Sequence, residues 1–151
     1  MARSVQIVFD SRDPAALSKF YAAALDYKLQ DPPAGYGSWD EALKAFGVPQ
    51  EEWNSASAVV DPQGRGPRIY FQQMDTPKPG KNRLHLDFNV GGGPSAPLDE
   101  RRKRIDAEVD RLLGLGARTH NTVELPMRSA AEAGEYWVVM QDPEGNEFCV
   151  Q

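Results

Sequence analysis

The segment YWVVMQDPEGNEFCVQ, residues 136–151, decides the fold because an earlier part of the same chain repeats its order of signals. It contains a β-rich run, an Asp-Pro-x-Gly turn and a second β-rich run. Residues 57–73 follow the same order, with SAVVDPQG followed closely by RIYFQQ. A single turn of this kind is common, but two at equivalent places in one chain indicate an internal repeat.

The chain upstream of each turn segment also matches, since each copy opens with a strand and an amphipathic helix. In the first copy, VQIVFD at residues 5–10 precedes Asp13 and Pro14, which predict a helix N-cap and first helical position. Apolar residues then follow at the spacing of one buried helix face. They are Leu17, Phe20, Tyr21, Ala24 and Leu25.

The second copy opens with RLHLDFNV at residues 83–90, followed by a Gly/Pro loop and Asp99 before the helix. Its apolar residues repeat the helical spacing, and Gly114 and Gly116 predict the helix end. Residues 38–53 have no counterpart in the second copy. Within them the spacing of Trp39, Leu43 and Phe46 predicts a short helix.

The repeat predicts an α+β fold in which two βαβββ modules pair as curved mixed sheets around a ligand-sized cleft. We expect one domain over residues 1–151, with modules at about 4–75 and 83–151 and a Pro/Gly-rich connector at 76–82. One such module has too little core to be stable alone, because small domains bury a smaller share of their surface.

Composition narrows the function classes. The 151 residues are 40% apolar and 26% charged with a net charge of −5, which predicts a folded protein without an affinity for nucleic acid. The basic cluster 101–104 is offset by acidic neighbours on the same helix. No apolar run reaches the roughly 18–20 residues of a membrane span. The single cysteine, Cys149, indicates a reducing cytoplasm.

Alternation along the opening strands predicts a polar face in each module. In the second module His85, Asp87 and Asn89 share one face, opposite Leu84, Leu86 and Phe88. In the first module Gln6, Val8 and Asp10 lie opposite Val5, Ile7 and Phe9. Each polar face either lines a pocket or meets solvent, and alternation alone does not decide between them.

The strand, the Asp-Pro helix start, the Phe-Tyr pair in the helix and the closing Asp-Pro-x-Gly-Asn-x-Phe together resemble the vicinal oxygen chelate superfamily. That superfamily includes glyoxalase I, bleomycin-resistance proteins and extradiol dioxygenases. The resemblance covers residues 5–151 and is closest at NRLHLDFN, 82–89, and WVVMQDPEGNEFCV, 137–150. It implies a pocket enclosed by curved sheets, a small-molecule ligand and a homodimer.

In metal-dependent members the resemblance implies a divalent ion held by His or Glu on four strands. The matching positions here are Gln6, Gln72, His85 and Cys149, with Gln73 or Tyr70 as alternatives to Gln72. Neutral amides are weak ligands for a hard ion. We therefore expect no metal cofactor, and if one binds, His85 and Cys149 are its ligands and suit zinc. Asp87, Asp10 or Glu147 are possible substitutes for the missing donors.

The resulting hypothesis is a metal-independent glyoxalase-like protein that binds, sequesters or acts on a small organic ligand. His85 is the candidate catalytic base, oriented by Asp87 or Asp10, and Cys149 is a candidate nucleophile. Two alternatives stay open, namely a metal-dependent lyase, isomerase or dioxygenase, and a structural domain. The residues expected to line the pocket are Gln6, Val8, Asp10, Tyr36, Trp39, Gln72, His85, Asp87, Asn89, Glu147 and Cys149. His120 is expected in a surface loop.

Overall fold

The computed structural model of the chain describes residues 4–93, 95–125 and 134–151. The chain divides into two compact units, Met1–Lys78 and Pro79–Gln151. The division falls inside the connector predicted at residues 76–82. The assignment of both modules to one domain and the cleft expected between them stay predictions.

The first unit has the predicted βαβββ order with an inserted helical segment. Its sheet has the strand order β1-β4-β3-β2, in which β1 and β4 are parallel and the other pairs are antiparallel. The elements are β1 (Ile7–Ser11), α1 (Pro14–Ala24), β2 (Lys28–Leu29), α2 (Trp39–Ala45), a 3₁₀ turn (Gln50–Glu52), β3 (Ala56–Val60) and β4 (Ile69–Gln73).

Helix α1 confirms the predicted cap and the predicted buried face. The Asp13 side chain accepts a hydrogen bond from the Ala16 N–H at 3.1 Å, which satisfies one of the free donors of the first turn. The Tyr21 ring on the buried face contacts Phe9 of β1 and Phe71 of β4, with centroids 4.8 and 5.5 Å apart. These contacts fix α1 against one face of the sheet and leave the other face open.

The inserted helix α2 forms where it was predicted but presents its aromatic residues to solvent. Ser38 caps it by accepting from the Glu41 N–H at 3.1 Å. Ala42 is its fully buried residue, whereas Trp39 and Phe46 are 40% and 56% exposed. The helical spacing was therefore correct, and the side that packs is the one with the small residue.

The second unit repeats the topology of the first. Its sheet has the order β5-β8-β7-β6, with β5 and β8 parallel and the other pairs antiparallel. The elements are β5 (Leu86–Phe88), α3 (Leu98–Gly114), β6 (Arg118–Leu125), β7 (Glu135–Gln141) and β8 (Glu147–Val150). The two mixed four-stranded sheets confirm the predicted α+β class with two modules.

Three local expectations were wrong. Strand β5 is shorter than residues 83–90, and Leu84 is 73% exposed because it lies before pairing with β8 begins. Helix α3 starts at Leu98 after Pro97, so Asp99 lies in its first turn rather than before the helix. The preceding loop contains Pro94, which lies outside the described residues. His120 lies in β6 at a register shift against β7 rather than in a loop.

Helix α3 is the longest helix of the described residues, and its buried residues include Ile105 and Leu112. Arg102 of this helix lies over the Tyr136 ring at 4.8 Å, and the Tyr136 hydroxyl donates to Asp106 at 2.5 Å. Burial and then the Asp106 hydrogen bond raise the pKa of Tyr136 to about 12. Within the described residues, no helix combines the length and apolar character needed to cross a bilayer.

The two Asp-Pro-x-Gly turns have the same hydrogen-bonding design but different burial. Asp61 accepts from the backbone N–H groups of Gln63, Arg65 and Gly66 at 2.8–2.9 Å, which lowers its pKa. Asp142 accepts from two backbone N–H groups and one side-chain amide and is fully buried. The second turn therefore depends more strongly on its carboxylate.

We expect Gly66→Ala to lower the free energy of unfolding by about 1–2 kcal/mol, because overpacking forces neighbouring groups to move. A Cβ at Gly66 would lie 1.8 Å from the Tyr27 hydroxyl oxygen. Gly80→Ala is the matched control, since a Cβ there meets nothing within 4 Å. Urea denaturation of both variants checks this, and equal midpoints for the two would contradict it.

Candidate functional site

The polar face of the second sheet collects the residues that the alternation predicts. Phe88 is buried on the helix side, while His85, Asp87 and Asn89 are exposed. Asp87 of β5 lies level with Cys149 of β8 in the parallel register. The pairing of the first and last strands of this module therefore brings Cys149 next to Asp87, although they are far apart in sequence.

His85, Asp87 and Cys149 form a compact cluster on this face. The His85 Nε2 lies 3.4 Å from the Asp87 Oδ1, and both side chains are 43% exposed. One potential ligand atom from each of the three residues lies within 4.8 Å of the others. The cluster therefore combines an exposed imidazole and an exposed carboxylate with a thiol that is buried beneath them.

The thiol of this cluster is held in its protonated form. Burial, followed by the negative charge of Asp87 and a hydrogen bond to it, raises the pKa of Cys149 to about 11, although Lys81 acts in the opposite direction. The thiolate is the nucleophilic form of cysteine, so this environment disfavours the nucleophilic role considered for Cys149.

We expect Asp87→Asn to lower the pKa of Cys149 and to speed its alkylation by iodoacetamide at pH 8 by about two- to threefold. The charge that opposes the thiolate is removed, while the lower basicity of the thiolate offsets part of the gain. The rate in the wild type should keep rising with pH up to about 11. Asp10→Asn is the control, and an unchanged pH–rate profile for Asp87→Asn would contradict the assignment.

The open face of the first sheet holds the other predicted pocket residues. Val8 lies level with Tyr70, and Asp10 lies level with Gln72. Strand alternation places Gln73 on the opposite face from Gln72, so of the three alternatives Tyr70 and Gln72 share the face of Gln6. Gln72 donates from Nε2 to the Met74 sulfur at 3.6 Å.

Arg68 is a residue of this face that the sequence reasoning missed. Its Nη1 donates to the Gln6 Oε1 at 2.7 Å and its Nε to the Gln30 Oε1 at 2.6 Å. Its guanidinium lies 5.0 Å from the centroid of the Tyr70 ring. The signal in the sequence was the alternation itself, because Arg68 precedes Tyr70 and Gln72 at the strand period of two.

Other predicted pocket residues have structural contacts of their own. Trp39 donates from Nε1 to the Gln30 carbonyl at 2.7 Å, and Tyr36 packs edge-on against Phe46 at 5.4 Å. Glu147 is buried and accepts from the Asn82 N–H at 2.9 Å. The first two contacts hold the inserted segment, residues 38–53, against the residues before it, and the third holds the end of the connector against β8. The positions of Tyr36 and Trp39 at a pocket rim stay predictions.

A pocket of about 490 Å³ lies in the second unit where β5 ends and β7 begins. Asn89 is the predicted pocket residue that lines it. Its lining also includes Arg101, Glu135, Tyr136, Trp137 and Gln151. Arg101 donates from Nη2 to the Gly134 carbonyl at 2.9 Å, which holds the first turn of α3 against the residue before β7.

The donor chemistry of the two units differs with respect to a divalent ion. In the first unit the matching positions are the amides Gln6 and Gln72, and the Gln6 oxygen already accepts from Arg68. In the second unit the His85, Asp87 and Cys149 cluster supplies three anionic or imidazole donors, a set that fits zinc. Asp87 thus joins the two ligands expected from the resemblance.

The chain matches the family model of the glyoxalase-like domain over residues 6–151. It therefore belongs to that family, within the vicinal oxygen chelate superfamily. No curated protein matches the chain in sequence.

Solved structures share the fold at low sequence identity. One is a glyoxalase/bleomycin resistance protein/dioxygenase family enzyme from Burkholderia phytofirmans, with 16% identity, 96% and 94% of the two chains covered, and a TM-score of 0.55. Another is a variant of the fosfomycin resistance protein FosX from Listeria monocytogenes, complexed with Mn(II) and 1S,2S-dihydroxypropylphosphonic acid. It has 13% identity, covers 100% and 90% of the chains and has a TM-score of 0.57.

Proposed function

We propose that this chain is a small-molecule-binding protein whose ligand contacts the polar face of β5 and β8. The observation that supports this most directly is the cluster of His85, Asp87 and Cys149 within 4.8 Å of one another. An imidazole and a carboxylate that are exposed next to a buried thiol are typical of ligand sites rather than of cores. The ligand is either sequestered or acted on there.

In the catalytic version, His85 is the base and Asp87 orients it. The Asp87 Oδ1 lies 3.4 Å from the imidazole Nε2, close enough to orient the ring for accepting a proton from a substrate. Cys149 stays a thiol and donates a hydrogen bond to Asp87. Without a bound metal ion, the chemistry that the cluster supplies is therefore proton transfer by His85.

A metal-dependent lyase, isomerase or dioxygenase is the second candidate, and the same cluster favours it. His85, Asp87 and Cys149 would hold a zinc-like ion, with the first unit's amides at best secondary. When bound, such an ion acts as a Lewis acid on substrate oxygens. The FosX relative was solved with Mn(II), so the metal-independent version rests on Gln6 and Gln72 alone.

Calorimetric titration with ZnCl₂ separates the two versions. The metal-dependent version predicts one ion per chain, a raised melting temperature, and proton release seen as a dependence of the heat on buffer, because the Cys149 thiol must lose its proton. Cys149→Ser should abolish the proton release. If the wild type binds zinc with no larger heat than the Cys149→Ser and His85→Ala variants, the metal-dependent version is excluded and the metal-independent version stands.

Fragment binding tests the proposed function itself. Small neutral and anionic aromatic fragments are screened by calorimetry with chelator present, and the strongest is measured against His85→Ala and Asp87→Ala. We expect both variants to weaken binding about tenfold, since each removes a charged or polar contact. Asp40→Ala on exposed α2 is the control. A library without hits, or equal affinity in all variants, contradicts the proposal.

We also propose a homodimer in a reducing cytoplasm, with neither nucleic acid nor membrane as a partner. The family resemblance supports the dimer, and the single cysteine supports the compartment. Light scattering at the elution peak gives the mass directly, and a mass of 16.7 kDa would contradict the dimer.

A further inference from the structure

The side chain of Arg68 is held rigidly on the open face of the first sheet. It comes one residue before the Ile7–Ile69 pair, which places it beside Gln6. Hydrogen bonds from its Nη1 and Nε reach two glutamine oxygens at 2.7 and 2.6 Å, and its guanidinium lies over Tyr70 at 5.0 Å. The two glutamines from other segments and the Tyr70 ring in its own segment therefore fix its position and its plane.

The charge of Arg68 is not matched by these contacts. Both hydrogen-bond partners are neutral amides, and among residues 4–93, 95–125 and 134–151 no carboxylate forms an ion pair with it. Asp10 shares the face but lies level with Gln72, four residues further along the strand, or about 13 Å away at the usual strand rise.

Within the part of the chain that the structure describes, the guanidinium also keeps donors without an acceptor. Of its five N–H groups, one on Nε and one on Nη1 are engaged by the glutamines. The remaining N–H groups lie on the two terminal nitrogens, Nη1 and Nη2. Together they can donate two parallel hydrogen bonds to the oxygens of a carboxylate or a phosphate-like group. Val8, which is 51% exposed and level with Tyr70, offers apolar surface next to that contact.

We propose that Arg68 is an anion anchor, which binds the carboxylate, phosphate or phosphonate group of a small organic ligand on the first sheet. The proposal goes beyond the proposed function, because it assigns an anion site to the first unit, where Arg68 and its partners lie. A rigid cation with neutral partners costs little reorganisation when an anion arrives, because its side-chain freedom is already lost. The two glutamines position the guanidinium without neutralising it.

The competing explanation is purely structural. Arg68 links the segment before β1, the residue after β2 and the start of β4. It can therefore act as a strap, meaning a side chain that only stabilises the fold by joining these segments. A strap predicts that Arg68→Met lowers the melting temperature and leaves ligand affinity unchanged. An anchor predicts a loss of affinity that is selective for anions, which a strap does not produce.

The test uses phenylphosphonate and the neutral benzenesulfonamide as probes, measured by calorimetry with chelator present. The wild type should bind phenylphosphonate at least about tenfold more tightly, and Arg68→Met should remove that preference. The sulfonamide affinity should change less than twofold. Arg68→Lys, which keeps the charge but loses the fork, should be intermediate, and added salt should weaken phenylphosphonate binding alone.

Arg65→Met is the matched control, because Arg65 is exposed in the neighbouring turn and its backbone N–H makes the contact to Asp61. Equal phenylphosphonate affinity in Arg68→Met and the wild type overturns the anchor, as does an equal loss in Arg65→Met. If Arg68→Met does not fold, Arg68→Lys decides by the same criterion. Failure of both probes alongside fragment hits at His85 overturns the anchor alone, whereas a library without hits overturns the proposed function too.

Discussion

Replacing Phe148 by alanine is expected to lower the free energy of unfolding by about 3–5 kcal/mol, the usual cost of removing a buried ring. Phe148 is fully buried in β8 and stacks on Phe88 of β5 with ring centroids 4.7 Å apart. Deleting the ring leaves a cavity under the parallel pair that carries Asp87 and Cys149. Since domains of this size are stable by only about 5–15 kcal/mol, the variant should unfold at much lower urea concentration.

Phe46→Ala is the matched control for this prediction. It removes the same ring from the end of α2, where the side chain is 56% exposed and touches Tyr36. We expect less than about 1 kcal/mol there, since an exposed ring loses little transfer free energy. A urea midpoint for Phe148→Ala that equals the control would show that the β5–β8 pair is not packed as described.

Asp142→Ala should be the second most damaging substitution, at about 2–4 kcal/mol, because buried donors lose their acceptor. The carboxylate accepts from the Glu144 and Asn146 N–H groups at 2.9 Å and from the Asn146 Nδ2 at 2.8 Å. Alanine leaves these groups inside the protein without that partner. The turn that joins β7 to β8 would then lose its shape.

The repeat supplies the control, since Asp61 occupies the equivalent turn of the first unit. Its donors are more exposed, so water can replace the lost carboxylate and Asp61→Ala should be clearly milder than Asp142→Ala. Thermal unfolding of the two variants side by side checks the ranking. A larger loss for Asp61→Ala would contradict the difference in burial between the two turns.

The fold was predictable because its signals are local and occur twice. The Asp13-Pro14 start, the buried spacing of α1 and the paired Asp-Pro-x-Gly turns follow from capping, periodicity and turn chemistry within a few residues. The errors arose where tertiary pairing decides. Leu84 alternates correctly with Leu86 but lies beyond the paired part of β5, and His120 lies at a strand irregularity that its own sequence does not mark.

The candidate site was predictable only in part, because alternation gives a face but not a register. The polar face with His85 and Asp87 followed from the sequence. That Asp87 lies level with Cys149 depends on how two strands far apart in the chain are aligned. Arg68 was missed because its importance depends on contacts with Gln6 and Gln30, which are distant in sequence.

The polar face of β5 and β8 is the proposed ligand site. Amide chemical-shift mapping with the fragment that binds most tightly is the decisive measurement, since it locates binding without any substitution. The proposed site predicts that resonances of residues 85–89 and 147–150 move first and saturate together, with an accompanying change at the His85 imidazole. Saturating shifts confined to other parts of the chain, with these residues unmoved, would contradict it.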